Sequence, residues 1–395
     1  MKKYLYLLIL FVIVLVCSSC RSVKKDIEKY AMVLSTGYDW TEEDKYLLTI
    51  QVLKTSREQT SGSTNGGVDK KHSLPSEVVI YTSKGETINK AYDNLTTSLG
   101  QEPYFSHNKF IVIGEKLAEK GIDLIIDSNL RGHEVRPNTP VLVARGEANK
   151  IIKQLTPTDT IPANAIENII KNQFEKGLTI LTNLKDIYNG LADKTAGITT
   201  GVIYLEKQSD IAHNGKIFII EEIAIFKDDK LIGFLNKEES RALMWIKSKV
   251  KSGDIVVNSP KNETDKITFE ILNSKCKITP EYDGSNYLIK LNINQNSNIV
   301  SMVGEHDPMN DYKVLDELEK VQNKSIEEDV INVIKKVQKD YNVDIFDFGE
   351  AIHRKYPKQW NVIKEEWDEI FPHVLIEVTV KSSIKRPGLI SKPAI

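Results

Sequence analysis

The sequence predicts an α+β fold of more than one domain, with mostly antiparallel or mixed sheets and packed helices. Strand and helix patterns alternate along the chain: KYLLTIQVL has apolar residues at every second position, whereas ETINKAYDNLTTSLG has them at helical spacing. The pairs Asn214-Gly215 and Asp283-Gly284 favour tight turns between antiparallel strands. A chain of 395 residues is long enough for two or three domains.

The first nineteen residues have the pattern of an export leader. Two lysines at positions 2 and 3 precede an apolar run over residues 4–16, and two serines come directly before Cys20. The apolar run is shorter than the roughly 20 residues that a membrane-spanning helix needs. The sequence therefore predicts a cleaved signal peptide over residues 1–19, with an uncleaved weak anchor as the alternative.

Cys20 is the predicted lipidation residue. The small Ser18 and Ser19 suit a lipoprotein signal peptidase, whereas Cys17 follows the branched Val16. Cys17 itself stands at the third position before the cut, where an aliphatic residue is usual. Two acyl chains on Cys20 would give stable membrane anchoring. The alternative is an ordinary secreted protein that loses Cys17 with its signal.

The two cysteines do not fit redox or metal chemistry. No βαβ pattern follows them, as it does after a thioredoxin-like CxxC pair, and no further zinc ligand lies nearby. The third cysteine, Cys276, lies in an alternating stretch and is predicted to be a buried structural thiol.

Charge and motif content argue against nucleic-acid binding and against catalysis. Lys and Arg number 53 and Asp and Glu 55, well mixed, so no broad basic face is expected. The seven histidines show no metal-ligand spacing, and the sequence contains neither Gly-x-Ser-x-Gly nor HExxH. His107 is interpreted as a turn residue rather than a general base. We expect no enzyme activity, no metal and no cofactor.

The first region, residues 20–196, mixes both element types. Strands are predicted around residues 31–34, in KYLLTIQVL, in NKFIVIG and in TPVLVARG. Helices are predicted in ETINKAYDNLTTSL with Gly100 as the C-cap, in EKLAEKGIDLIIDSNLRG, in IPANAIENIIKNQFEKG and in LTNLKDIYNGLAD. Residues 54–73 are polar and rich in Gly, Ser and Thr, which is typical of a mobile loop.

The second region, residues 197–395, begins with two strands predicted to meet at Asp228-Asp229. Asn236 and Glu239 have the spacing of an N-cap pair before the helix KEESRALMWIKSKV. A hairpin-bearing stretch follows, then one long helix from residue 311 with a possible break where Ser325 begins a capping box. HVLIEVTVKSSI is predicted to be the last strand.

Three aromatic residues near the C-terminus, Trp360, Trp367 and Phe371, fall on one face of a predicted helix. They fit either core packing against the last strand or an exposed protein-docking face, because aromatic residues are enriched in interface cores. The spacing alone does not separate these two interpretations.

Several stretches carry a family resemblance. The segment YFSHNKFIVIGEKLAEKGIDLIIDSNLRGHEVRPNTPVLVARGEA, the hairpin and helix IAIFKDDKLIGFLNKEESRALMWIKSKV and the C-terminal stretch from residue 344 follow the leader in order. Together they resemble the Ger(x)C family, the lipoprotein C subunits of bacterial spore nutrient germinant receptors. The matching positions are Leu231, Gly233, Leu235, Glu239, Trp245, Asp344, Phe348, Gly349, Pro357, Trp360, Trp367 and Phe371. Arg21-Ser22 and Ser106 depart from the usual pattern.

The resemblance implies a non-enzymatic subunit of three domains, each with a sheet and packed helices. It implies a lipid anchor at Cys20 on the outer face of the spore inner membrane. The implied partners are an A-type subunit and a polytopic B-type subunit related to amino-acid transporters, which this subunit would dock with and stabilise. Direct nutrient binding is less favoured, because the B-type partner offers the transporter-like pocket.

Two other classes share the leader and the lack of catalytic motifs. A solute-binding lipoprotein of a transporter should show two lobes with parallel sheets, against which the tight-turn pairs argue. A lipid-anchored cell-wall hydrolase should assemble an acid or nucleophile site. The resemblance favours neither of them.

Overall fold

A computed structural model describes residue 4 and residues 29–54, 76–132, 135–207, 215–260, 262, 264–284, 286–302 and 312–386. Cys20, Asn214, nearly all of the polar loop and, apart from Tyr4, the predicted signal peptide lie outside the described residues. No helix within the described ranges combines the length and apolar character needed to cross a bilayer.

Nine of the described strands form one mixed sheet, in the order β3-β2-β1-β5-β6-β7-β8-β9, with β4 paired to the start of β1. Strands β1, β5, β6 and β7 run parallel to one another, whereas the pairings β3-β2, β2-β1, β7-β8 and β8-β9 are antiparallel. The strands are β1 Tyr30–Trp40, β2 Tyr46–Leu53, β3 Val78–Gly85, β4 Glu102–Tyr104, β5 Ile111–Gly114, β6 Val141–Ala144, β7 Ile198–Lys207, β8 Lys216–Lys227 and β9 Lys230–Leu235.

Helices cover both faces of this sheet, because parallel neighbours need crossover connections. One apolar cluster joins the sheet to α1, α2, α3 and α6, and a second cluster on the opposite side joins it to α4 and α5. The helices are α1 Ile88–Leu99, α2 Glu115–Lys120, α3 Asp123–Arg131, α4 Ala148–Lys153, α5 Pro162–Glu175 and α6 Leu184–Ala192.

The second sheet has four strands in the order β10-β11-β12-β13. The first two pairings are antiparallel and β12 pairs parallel with β13. The described helices that pack on this sheet all lie on one of its faces. The elements are β10 Asp254–Asn258, β11 Lys266–Tyr282, β12 Tyr287–Met302, β13 Leu375–Arg386, α7 Lys237–Ile246, α8 Tyr312–Lys336, α9 Phe348–Lys355, α10 Pro357–Ile363 and α11 Trp367–Ile370.

Local sequence signals set several element ends, and the predicted C-cap at Gly100 and N-cap pair of Asn236 and Glu239 are both present. The Thr87 side chain accepts a hydrogen bond from the Lys90 amide at the start of α1, and Gly100 ends that helix with a φ of 64°. A capping box joins Asn236 and Glu239 at the start of α7. Helix α8 runs through Ser325 without a break and ends in a π-helical turn over residues 337–341.

Both sheets are mixed, so the predicted α+β class is confirmed. The first sheet contains more parallel strand pairing than the Asn-Gly and Asp-Gly dipeptides suggested, because those dipeptides predict only hairpin turns. Strands β7 to β9 continue this sheet beyond residue 196. The assignment of separate domains to residues 20–196 and 197–395 stays a prediction.

Candidate functional site

Most of the family-matching residues converge where the hairpin β8–β9 meets the helices of the second sheet. Ile223, Ile225 and Leu235 of this hairpin belong to the same apolar cluster as the interior of the second sheet. The hairpin therefore belongs to the first sheet by its hydrogen bonds and to the second core by its side chains. This shared element fixes how the two sheets are joined.

Glu239 holds two helices at this junction. Its carboxylate accepts a hydrogen bond from the Asn236 amide at 3.0 Å, which completes the capping box of α7. The same carboxylate lies 2.8 Å from the Lys336 ammonium at the end of α8. Both side chains are partly buried, so the pair is less screened by salt than a fully exposed ion pair. The sequence indicated the cap but not the ion pair.

Gly233 of β9 allows a close approach of Tyr341. A Cβ at this position would overlap the Tyr341 ring. The Tyr341 hydroxyl donates a hydrogen bond to the Phe234 carbonyl at 3.0 Å, so the ring lies directly across the strand. A glycine is needed here because of this contact.

Trp245 links α7 to the centre of the second sheet. It is fully buried, and its indole Nε1 donates a hydrogen bond to Gln295 Oε1 at 2.9 Å. Gln295 lies on β12, so the bond connects a helix that follows the first sheet with a central strand of the second. Buried indole groups usually find such a partner.

A buried carboxylate organises the C-terminal stretch. Asp344 accepts hydrogen bonds from the Phe346 amide at 2.9 Å, the Gly349 amide at 2.7 Å and Trp367 Nε1 at 3.3 Å. Burial raises the pKa of this carboxyl group to about 6, although the amide donors act in the opposite direction. Asp344 thus fixes the start of α9 and the orientation of Trp367.

The aromatic residues next to Asp344 form part of the core. Trp360 is 5% exposed, and Trp367 and Phe371 are each 1% exposed. The two indole rings meet edge to face with centroids 5.3 Å apart. Core packing is therefore the correct interpretation, and the alternative of an exposed docking face is wrong. The predicted single helical face is also wrong, because α10 and α11 are separate helices joined by a 3-10 turn.

A second buried carboxylate, Asp39, lies at the end of β1. Its two oxygens accept hydrogen bonds from the amides of Ala148 and Asn149, at 2.7 and 2.8 Å, at the start of α4. Burial raises the pKa of this carboxyl group to about 6. An acidic residue at the end of an apolar strand was the available signal, and sequence reasoning missed it.

The first region also contains a groove of about 770 Å³ between α1 and α3. Aromatic rings of Tyr92 and Phe105 line it, and Tyr38 lies buried beneath it. The Tyr38 hydroxyl is hydrogen bonded to the Tyr92 hydroxyl and to Asn129 Oδ1. Burial raises the pKa of Tyr38 to about 12, so its hydroxyl is neutral at physiological pH. The groove therefore has aromatic side chains in its wall, and the polar groups of Tyr38, Tyr92 and Asn129 are hydrogen bonded to one another.

The remaining candidate residues, His107 and Cys276, lie in surroundings that fit a structural role. His107 is exposed in a 3-10 turn over residues 105–107. Cys276 is partly buried, and burial raises the pKa of its thiol to about 12. In the part of the chain that the structure describes, no group of three or more His, Cys, Asp or Glu residues could hold a metal ion.

Two family models match the chain in succession. The model described as "Spore germination protein N-terminal domain" covers residues 23–205, and "Spore germination B3/ GerAC like, C-terminal" covers residues 221–388. This chain belongs to the Ger(x)C family of germinant receptor C subunits. The junction described above lies mainly within the part matched by the C-terminal family model.

Relatives in Bacillus subtilis (strain 168) match the chain over nearly its whole length. Spore germination protein KC is 28% identical, with 99% of this chain and 98% of the relative covered. Spore germination protein B3 is 26% identical, with 97% of this chain and 98% of the relative covered. The crystal structure of the GerBC protein has the same fold, with a TM-score of 0.59, 20% identity and coverage of 89% of this chain and 97% of that one.

Proposed function

We propose that this Ger(x)C protein is the lipid-anchored C subunit of a spore nutrient germinant receptor, needed for nutrient-triggered germination. It acts by docking with the A-type and B-type membrane subunits and stabilising them. The observation that carries this proposal is the ordered match of both family models across residues 23–388. The predicted leader supports the membrane location, on the outer face of the spore inner membrane.

The subunit works by binding and assembly rather than by catalysis. Among the described residues, the two buried carboxylates, Asp39 and Asp344, each accept hydrogen bonds from backbone amides at or just before the start of a helix. These groups hold the fold in place. A rigid joint between the two sheets suits a protein that presents fixed surfaces to its partners.

Anchoring is attributed to Cys20 alone. A diacylglyceryl group on its thiol, added before cleavage after Ser19, would leave the modified cysteine as the first residue. The diacylglyceryl group supplies two acyl chains, and two chains give stable membrane attachment. No further lipid group is therefore needed.

The test is germination of spores carrying Cys20→Ala, scored nutrient by nutrient in a strain without related receptors. The inner-membrane level of the protein is followed in parallel. We expect the protein to leave the membrane and the response to one nutrient set to fall. Cys17→Ala is the matched control, since Cys17 leaves with the signal peptide and its loss should change neither quantity.

Deletion of the whole gene in the same strain decides the broader proposal. An unchanged response to every nutrient would refute a role in germination. A loss of solute uptake with intact germination would instead identify a solute-binding lipoprotein of a transporter. An intact response in Cys20→Ala spores, combined with a lost response in the deletion, would refute only the need for the anchor.

A further inference from the structure

Within the described part of the chain, no helix covers one face of the second sheet. Along β12, side chains at odd positions from Tyr287 to Ile299 are buried under the helices, and those at even positions face the other way. Asn292 and Asn294 on this outer side are exposed, although β12 is an interior strand of the sheet. We call this side of the sheet the outer face.

Three lysines lie together at the middle of the outer face. The strand register places Lys277, Asn292 and Thr379 in one lateral row and Lys275, Asn294 and Lys381 in the next. All six side chains are exposed. Neighbouring strands lie about 4.8 Å apart and successive rows about 6.8 Å apart, so the three lysine positions lie roughly 7–12 Å from one another, a separation on the order of the Debye length.

These lysines form a local cluster of positive charge. Among the described residues, none of the three lies within 4.0 Å of a carboxylate. The acidic side chains of the outer face lie farther along it. Glu281 and Glu377 share Lys290 at 2.9 and 3.9 Å, Glu270 accepts a hydrogen bond from Asn298, and Asp254 lies on the edge strand β10.

Apolar side chains flank the lysines at both ends of the outer face. Val256 and Val300 are 58% and 60% exposed at one end, and Leu375 is 59% exposed at the other. Each alternates along its strand with a buried neighbour, so all three project to the same side as the lysines. A face with central cations and apolar ends is complementary to the headgroup region of an anionic bilayer.

We propose that the outer face lies against an anionic phospholipid surface and orients the anchored subunit. This inference rests on the proposed anchor, which holds the chain at a bilayer. Each lysine near an anionic membrane favours the docked orientation by roughly fivefold, so three lysines together contribute about a hundredfold. The exposed apolar side chains at both ends of the outer face suit a bilayer better than an acidic loop of a partner protein.

The test measures energy transfer from a fluorophore on the outer face to an acceptor lipid. The full chain with its native anchor carries Thr379→Cys as the labelling site in a Cys276→Ser background. It is reconstituted on vesicles of phosphatidylcholine alone or mixed with phosphatidylglycerol. We expect high transfer efficiency only with phosphatidylglycerol, and loss of the excess in about 1 M salt, where the Debye length is about 3 Å.

Charge reversal provides the matched comparison. Lys275→Glu, Lys277→Glu and Lys381→Glu together should reduce transfer on phosphatidylglycerol vesicles to the level seen with phosphatidylcholine. The control combines Lys90→Glu, Lys153→Glu and Lys185→Glu, which change the net charge equally on exposed helix positions of the first region. This control should retain the high transfer.

Equal transfer on the two kinds of vesicle would overturn the proposal, and so would equal losses in the two triple variants. If the lysine variant impaired germination while transfer did not depend on the lipid, the outer face would bind an acidic protein partner instead. That result would overturn the lipid contact and leave the proposed receptor function intact. A failure of the receptor function is detected separately, by gene deletion in spores.

Discussion

Replacement of Asp344 by asparagine tests whether the buried carboxylate organises the C-terminal core. Asp344 is 2% exposed and its two oxygens share three donors. In either orientation, an amide nitrogen at this position faces at least one N–H group. Each buried donor left unpaired costs about 1–3 kcal/mol, so the amide and the donor it faces together cost about 2–6 kcal/mol.

The assay is chemical unfolding followed by tryptophan fluorescence. Three of the four tryptophans, Trp245, Trp360 and Trp367, belong to the core of the second sheet, so the signal reports mainly on that part. The matched control is Asp347→Asn. The Asp347 carboxylate is half exposed and pairs with Lys247 at 2.7 Å, a type of contact worth about 0–1 kcal/mol.

The pH dependence gives a second check on the same residue. Burial raises the pKa of Asp344 in the folded chain to about 6, above the value of about 3.9 for an unfolded chain. The folded chain therefore binds this proton more tightly. The resulting stabilisation is complete below about pH 4 and is lost as the pH rises through about 6. The stability difference between the wild type and Asp344→Asn should shrink over that interval.

Two results would refute the reasoning. One is a shift in the unfolding midpoint for Asp344→Asn that is no larger than the shift for Asp347→Asn. The other is a difference from the wild type that grows as the pH rises from about 4 to about 6, since that would mean a lowered folded-state pKa.

Three further substitutions test neighbouring contacts. Gly349→Ala would place a Cβ 2.6 Å from Trp360 Cη2, and this overpacking should cost about 1–3 kcal/mol in the same unfolding assay; an unchanged midpoint would contradict the close contact. Trp245→Phe leaves Gln295 Oε1 without its donor and should lower the free energy of unfolding by about 1–3 kcal/mol. If Trp245→Phe lowers it equally in a Gln295→Leu background, the hydrogen bond is not the cause. For Asp39, burial raises the folded-state pKa to about 6. The stabilisation that comes from its bound proton is therefore complete below about pH 4 and is lost as the pH rises through about 6. Asp39→Asn should remove that component, measured as a flatter dependence of the unfolding midpoint on pH.

Local patterns in the sequence determined many element boundaries. The C-cap of α1 at Gly100 and the capping box at Asn236 were predicted because each depends on residues within one turn of helix. The hairpin turn at Asp228 was predicted on the same basis, and its φ is 53°. The family resemblance, built from the order of such local stretches, is confirmed by the two family models.

The tertiary structure alone decided which residues meet across the chain. The bond from Trp245 to Gln295, the ion pair of Glu239 with Lys336 and the three donors on Asp344 join positions far apart in sequence or on separate elements. The burial of Trp360 and Trp367 was likewise undecided by spacing. An aromatic stripe has the same pattern whether it packs against a core or faces a partner, and only the placement of the neighbouring strands separates the two.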